Sequence, residues 1–290
     1  MELLAERIAR LLRAEPVAWQ ERAAPWQPKG AVEGGNERFS VLLADRRRIF
    51  VKAARGELTA AWLRREHEVY AHLPGTFMPK LEAFDDDPLY PVLVLEDLSE
   101  ADWETRWNPD RVESVRSALA ELAASDPPPN TQPVQQAFPQ LFGKWQVVKD
   151  DPEPFLSTGI RSRGWLERSL PTLTAAADSV RAEGNDLLHL DVRSDNLCLR
   201  EGAAILVDWN WCTTGNADLD VAAWLPSLAN EGGPQPWEVL PAAGDYAAFL
   251  AGVWAAVVGQ PPPPTAPTVR EGQRRQVEAA LAWCEHEFGF

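Results

Sequence analysis

Apolar and polar positions alternate along this chain with two different periods, and the change of period divides it. Near the start, Leu4, Ile8, Leu11 and Leu12 recur every three or four residues, which predicts an amphipathic helix over 2–13. From residue 31 to 54 the period falls to two. Phe39, Val41 and Leu43 alternate with polar neighbours, and Ile49 with Val51 do the same beyond "ADRRR". That is a β-hairpin, entered through the turn "EGGNER". Residues 56–73 return to helical spacing with Trp62, His67, Val69 and Leu73, and "FMPKLEAFDDDPLYPVLVLEDL" reads as two strands around an acidic turn.

Beyond Leu98 the pattern is mainly helical. "VESVRSALAELAAS" (112–125) predicts a helix closed by the proline-rich "DPPPNTQP", and 165–183 predicts another. "DLLHLDVRSDNLCL" and "AAILVDW" read as short strands flanking a tight loop, and the remaining segments as helices. "GQPPPPTAP" (259–267) reads as a stiff linker setting the last helix apart from the body. These elements predict an α+β fold of two lobes. A small β-rich lobe spans 1–97, and a larger, mainly helical one spans 98–290.

Composition narrows the classes without choosing among them. The chain has 290 residues, enough for two cores, and its 45% hydrophobic and 24% charged residues are ordinary for a globular protein. The apolar run "AGVWAAVVG" is too short to span a bilayer, and the start lacks the basic head and apolar middle of a signal peptide. The expected compartment is the cytoplasm, with no membrane partner. A net charge of -15 argues against a nucleic-acid partner, since "DRRR" at 45–48 is the sole basic cluster and reads as an exposed turn. Cys198, Cys212 and Cys284 form no C-x-x-C pair and read as small semi-buried thiols. Most of the thirteen tryptophans are expected to be packing.

The candidate chemistry lies in "HLDVRSDN", where His189, Asp191 and Asn196 follow H-x-D-x-x-x-x-N. A carboxylate and a carboxamide five residues apart on one loop can do two jobs at one place. Asp191 can accept a proton from a substrate hydroxyl, and the Asn196 oxygen can ligand a hard cation. Magnesium favours such oxygen ligands together with phosphate oxygens. Asp208 ends the apolar strand "ILVDW" twelve residues later, and a hairpin of that length returns it to the same place. Phosphoryl transfer also needs a cation for the nucleotide phosphates. Lys52, in "IFVKAA", fits that need, with Glu66 of the next helix as its partner, although Glu68 is an equally placed helical acid. Gly34 and Gly35 stand where backbone could close over phosphates. Each residue has a plainer reading: Asp191 and Asn196 as turn formers, Lys52 as a solvated lysine, Asp195 as a solvated loop acid. Glu231 and Asp245 could face a cationic substrate but read more plainly as surface acids, and Trp209 and Trp211 read as packing beside the loop.

"HLDVRSDN", followed by "LVDWNWCTTGNADLDVAAW", resembles the aminoglycoside phosphotransferase and choline kinase superfamily, with its H-G-D-x-x-x-x-N, D-[WF]-E and G-D-P-x-x-D motifs. The resemblance implies a protein-kinase-like fold. It also implies a small-molecule kinase that moves the γ-phosphoryl group of ATP, or of GTP, with Mg2+, to a hydroxyl of an aminoglycoside-like or other small alcohol, which the acidic chain allows to be cationic. Residue by residue, it implies Asp191 as catalytic base, Asn196 and Asp208 as metal ligands, and Lys52 on the phosphates with Glu66 as its ion-pair partner. Glu96 and Leu98 would meet adenine through backbone groups, and His189 and Asp220 would brace the loop. His189 is read from the residues too as a core histidine bonded to backbone. Three departures stand out: Leu190 replaces the glycine after the histidine, Asn210 stands in place of Glu after "DW", and "GNADLD" lacks the Asp and Pro of its motif. The alternative is a non-catalytic, kinase-like nucleotide-binding regulatory protein. A protein kinase is a third reading, but no D-F-G or A-P-E segment is present.

Overall fold

The computed structural model describes residues 2–22, 35–73, 75–104, 106–264 and 266–290. Helix α1 (Glu2–Leu12) is followed by strands β1 (Pro16–Glu21), β2 (Glu37–Leu43) and β3 (Arg48–Ala53), helix α2 (Glu57–His72), and strands β4 (Leu81–Asp85) and β5 (Val92–Glu96). The strands form one antiparallel sheet in the order β1-β2-β3-β5-β4. The "ADRRR" segment is the β2–β3 turn. There the Asp45 carboxylate accepts the Arg47 N–H at 3.0 Å, and Arg46 takes a positive φ of 72°.

Side-chain parity decides what each sheet face meets, because successive strand residues point to opposite sides. Phe39, Val41, Leu43, Ile49 and Val51 share one face and bury it with Leu4 and Ile8 of α1. Ser40, Phe50 and Lys52 fall on the other face and line a cleft. On that side α2 presents Leu63, Glu66 and Tyr70, all buried, at helical spacing. Strand β1 is an element the hydrophobic pattern does not announce. It is an edge strand with four of its six residues exposed, so no buried stripe marks it.

The rest of the described chain is mainly helical. Helix α3 (Pro109–Ala123) starts with proline at its first position and is capped by Asn108, whose Oδ1 accepts the Arg111 N–H at 3.0 Å. Then come α4 (Val134–Ala137), α5 (Lys144–Asp150), α6 (Glu153–Ser157) and α7 (Arg163–Asp178). Helix α7 starts two residues before the expected 165, behind the cap Ser162, and ends five before the expected 183. Two small antiparallel sheets follow, β6 (Asp186–Leu188) with β9 (Thr213–Gly215) and β7 (Leu197–Arg200) with β8 (Ala203–Leu206). Helices α8 (Asp218–Asn230), α9 (Pro236–Val239), α10 (Gly244–Val258) and α11 (Val269–Phe288) complete the fold.

Helix α10 is buried on most of its circumference and forms the centre of this region. Its Gly252 lets Trp145 approach, and an added Cβ would stand 2.8 Å from the indole nitrogen. The proline segment after α10 does not set the last helix apart, as its composition suggested. Helix α11 lies within the main core and buries Val277, Ala280, Leu281, Trp283 and Cys284. The segment is a connector between two packed helices. All three cysteines are buried and unpaired, and no helix among the described residues is long and apolar enough to cross a membrane.

Candidate active site

The H-x-D-x-x-x-x-N segment leaves β6 and is suspended from the first turn of α8. Asp220, almost fully buried, takes the backbone N–H of His189 on one carboxylate oxygen and that of Leu190 on the other, each at 2.6 Å. Burial pushes its carboxyl up to about 7, against the pull of those two donors. His189 is fully buried against Trp209. Its Nδ1 accepts the Asp191 N–H at 3.3 Å, so Nε2 carries the proton and donates to the Val207 carbonyl at 3.0 Å. Burial drives its pKa down to about 4, and the ring stays neutral. It ties the loop to the end of β8 and carries no mobile proton.

These anchors twist the backbone between them. Leu190 sits at φ 61°, in the left-handed region that glycine enters freely and leucine does not. The glycine it replaces in the family motif therefore has a conformational reason. Here leucine accepts the strained geometry, held there by Asp220. Asp191, next in the chain, receives the Asn196 carboxamide N–H on its Oδ2 at 2.9 Å and on its carbonyl at 3.0 Å. The Arg193 guanidinium lies 3.1 Å from its Oδ1. Burial, with Asp208 and Asp195 nearby, raises the Asp191 carboxyl to about 7 despite Arg193.

The β7–β8 hairpin brings Asn196 and Asp208 together: Leu197 pairs with Leu206, and the Val207 N–H reaches the Asn196 carbonyl at 2.9 Å. Asp208 itself takes φ 70° as the chain turns out of β8. Across the cleft, Lys52 Nζ donates to Glu66 Oε1 at 2.6 Å and to Asp208 Oδ1 at 3.1 Å. Arg38 Nη2 stands 3.6 Å from Asp208 Oδ2, and Asn210 Nδ2 donates to Asp208 Oδ1 at 2.7 Å. Burial works against the Asp208 charge, but Lys52 and Arg38 prevail and hold its carboxyl down to about 2. Burial raises Glu66 in spite of Lys52. Glu66 and not Glu68 is the partner of Lys52, since Glu66 is buried on the inner face of α2 while Glu68 is exposed.

Lys52, Glu96, Leu98, Asn196 and Asp208 all line one cavity of about 350 Å3, together with Phe50, Tyr70, Leu95 and Val207. Gly35 is described but does not line it, and Gly34 lies outside the described residues. Among the lining residues that sequence reasoning passed over are the polar and aromatic side chains of Arg22, Arg38, Ser40 and Trp103. For Arg38 a signal existed, because the hairpin register places it directly opposite Lys52. Asp195 is not a solvated acid. It pairs with Arg193 at 3.3 Å and half-buries beside the loop. Glu231 braces the same loop, accepting the Ser194 hydroxyl on one oxygen and the Trp107 indole N–H at 2.9 Å on the other. Asp245 is held by Arg181 at 2.9 Å, as a surface ion pair. Trp209 is fully buried packing, whereas Trp211 is half-buried and borders a second cavity.

Among the described residues, no group of three or more His, Cys, Asp or Glu is arranged to hold a metal. The donor set that does exist is smaller and harder. The Asn196 NH2 is spent on Asp191, which leaves its oxygen as the ligating atom, and Lys52 and Arg38 favour the ionised form of Asp208. Two oxygen donors of this kind suit a cation that completes its shell with phosphate and water.

No curated protein matches the sequence. Solved structures with the same fold are numerous. A choline kinase from Cryptosporidium parvum superposes with a TM-score of 0.58 at 10% identity, over 99% of this chain and 94% of its own. A macrolide 2'-phosphotransferase type I gives 0.57 at 14%, over 98% and 96%. An amicoumacin kinase, solved in complex with AMP-PNP, Ca2+ and Ami, gives 0.54 at 13%, over 96% and 92%. At these identities the likeness establishes the protein-kinase-like architecture and no substrate. The sequence of residues 31–282 matches the model of one family, which takes in the β2–β3 hairpin, the suspended loop and the Asp208 turn, and by that match the chain belongs to the phosphotransferase enzyme family.

Proposed function

We propose that the protein transfers the γ-phosphoryl group of ATP, or of GTP, to the hydroxyl of a small molecule, with Mg2+ as cofactor. The observation that carries this reading is Lys52. Its ammonium group, nearly inaccessible to solvent, pairs with Glu66 of α2 and with Asp208, which lies 156 residues from Lys52 along the chain, in a cleft that also holds Asn196. Desolvating these charges costs about as much as their pairing returns, so the cluster is a poor device for stability alone, and its place in an open cleft suits a group that meets a ligand.

In this reading Lys52, kept in place by Glu66, binds the nucleotide phosphates, and the Glu96 carbonyl with the Leu98 N–H meets the base between Phe50, Leu95 and Val207. Asn196 and Asp208 would hold the metal ion, whose charge would neutralise the phosphate oxygens. Asp191 accepts the hydroxyl proton, and its raised pKa suits a base near neutrality. The acceptor oxygen forms the new bond to the γ-phosphorus, the bond from that phosphorus to the bridging oxygen breaks, and the nucleoside diphosphate leaves with the electron pair. Catalysis rests mainly on positioning and charge neutralisation. His189 and Asp220 hold the loop in shape.

The test combines calorimetry of AMP-PNP with and without Mg2+ and a screen of nucleotide consumption against a library of hydroxyl compounds. Metal-dependent nucleotide binding together with phosphate-ester formation is expected. Absence of nucleotide binding would refute the reading. Tight binding with no transfer to any acceptor would instead favour a regulatory protein of the same fold.

A further inference from the structure

A second cavity, of about 900 Å3, opens beside Asp191 and meets the first at Asp195, which lines both. If the proposed transfer is right, this is where the acceptor lies, and its walls describe that molecule. One wall is apolar and partly aromatic: Leu190, Trp211, Leu219, Phe249, Val253 and Trp254. Apart from the loop residues Asp191, Arg193 and Asp195, its charged side chains are Lys144, Arg275, Glu231 and Glu271, two of each sign. Glu231 already holds a protein donor on each oxygen. A pocket for a polycation would need a surplus of free carboxylates, because each ammonium group loses its water on entry. Counting the loop as well, Asp191, Asp195, Glu231 and Glu271 face Lys144, Arg193 and Arg275, a surplus of one carboxylate, although the chain as a whole carries -15. Leu190 adds to the argument. It keeps a left-handed backbone at φ 61° and turns a leucine side chain to the wall next to Asp191. Strain of this kind, seen beside a reacting group, points to a use.

We propose that the acceptor is an alcohol on a largely apolar body bearing at most one positive charge, with Leu190 as a specificity-determining contact. The inference rests on the phosphotransfer reading above. Two acceptor sets are compared with Mg-ATP, and esters are detected by mass spectrometry. One set holds aminoglycosides with three or more amines. The other holds macrocyclic lactones, steroid alcohols and aryl alcohols with one amine or none. The best apolar acceptor should exceed the best polycation by at least roughly tenfold in kcat/KM. Val253→Glu, in the half-exposed α10 wall, should raise the KM of that acceptor with AMP-PNP affinity unchanged. Polycations leading or equalling the apolar set, no transfer to any apolar member, or an unaltered KM in Val253→Glu would each overturn the proposal. Mg-AMP-PNP binding and transfer to the polycations, measured in parallel, separate the two failures: lost binding, or retained binding with no transfer to either set, sinks the phosphotransfer reading itself, and retained binding with transfer to the polycations sinks the acceptor class alone.

Arg38 carries an independent inference. It faces Lys52 directly across the β2–β3 ladder, lines the same cavity, and lies 3.6 Å from Asp208 with its side chain only 16% exposed. Arg22 and Ser40, joined at 3.0 Å, line the cavity beside it. The geometry points to Arg38 as a second cation for the nucleotide phosphates, supplied by β2. Calorimetry should show Arg38→Ala weakening ATP binding by about tenfold or more while adenosine binding holds, with Arg38→Lys restoring part of the loss. Unchanged ATP affinity, or ATP and adenosine weakening together, would overturn it, and a wild type that binds neither would refute the nucleotide reading instead.

Discussion

Replacing Leu190 by alanine and by glycine isolates the backbone strain at the loop. Both substitutions delete the same half-buried leucine side chain, so the lost packing cancels when the two variants are compared. What remains is one Cβ atom at φ 61°. At an ordinary helical or extended position glycine is the less stable of the two by roughly 0.5–1 kcal/mol, because it frees the unfolded chain. In the left-handed region a Cβ costs about 1–2 kcal/mol. The second effect is the larger at mid-range, so Leu190→Gly should be more stable than Leu190→Ala by about 0.75 kcal/mol, the difference of the two central magnitudes. Urea unfolding of both variants, fitted with a common slope, measures this directly. Alanine proving the more stable would show that Leu190 is not strained, and would remove the reason for reading it as held in place by Asp220. Relative to leucine, Leu190→Ala should lose the packing and gain nothing, since its Cβ keeps the same strain. Leu190→Gly should stay within about 1 kcal/mol of the parent, since relief of strain offsets much of the lost burial.

Other expectations follow from the same contacts. Asp191→Ala should lower turnover by about 100-fold or more while nucleotide affinity is kept, and normal turnover would refute its role as base. Asp208→Ala should weaken nucleotide binding in the presence of Mg2+ more than in its absence, as read by calorimetry. Asp220→Asn places an amide N–H against a backbone N–H now 2.6 Å from an oxygen; the fold should lose about 1–3 kcal/mol in urea, and an unchanged midpoint would count against the suspension of the loop. His189 has a folded pKa of about 4, below the unfolded value, so the unfolded chain binds the extra proton between about 6.5 and 4. Stability contributed by the neutral ring is thus present above that window and lost as pH falls through it. Across it the parent should lose up to about 1.4 kcal/mol per pH unit more than His189→Gln, and parallel pH profiles would refute this.

Local order was legible in the amino-acid pattern because local order depends on near neighbours. Alternation in 39–43 and 49–51 sets which residues face α1, and by parity sets Lys52 on the opposite face. The spacing of Asp191, Asn196 and Asp208 implied a loop and a hairpin that meet, and the hairpin register does bring them together. Whatever depends on partners distant in sequence was decided only by the tertiary structure. Burial separated Glu66 from Glu68, two acids on one helix with equal claims. Packing of α8 against the loop made Asp220 the anchor for two N–H groups and forced Leu190 into a left-handed backbone. Edge strand β1 left no apolar stripe to read, and α11 could not be seen to join the core from a proline-rich connector alone. The balance of charge around the second cavity, assembled from helices and loops between Gln140 and Gln276, has no counterpart in any local stretch. Periodicity records how a segment presents its faces; only the meeting of those faces determines which charges are buried, neutralised or left to meet a ligand.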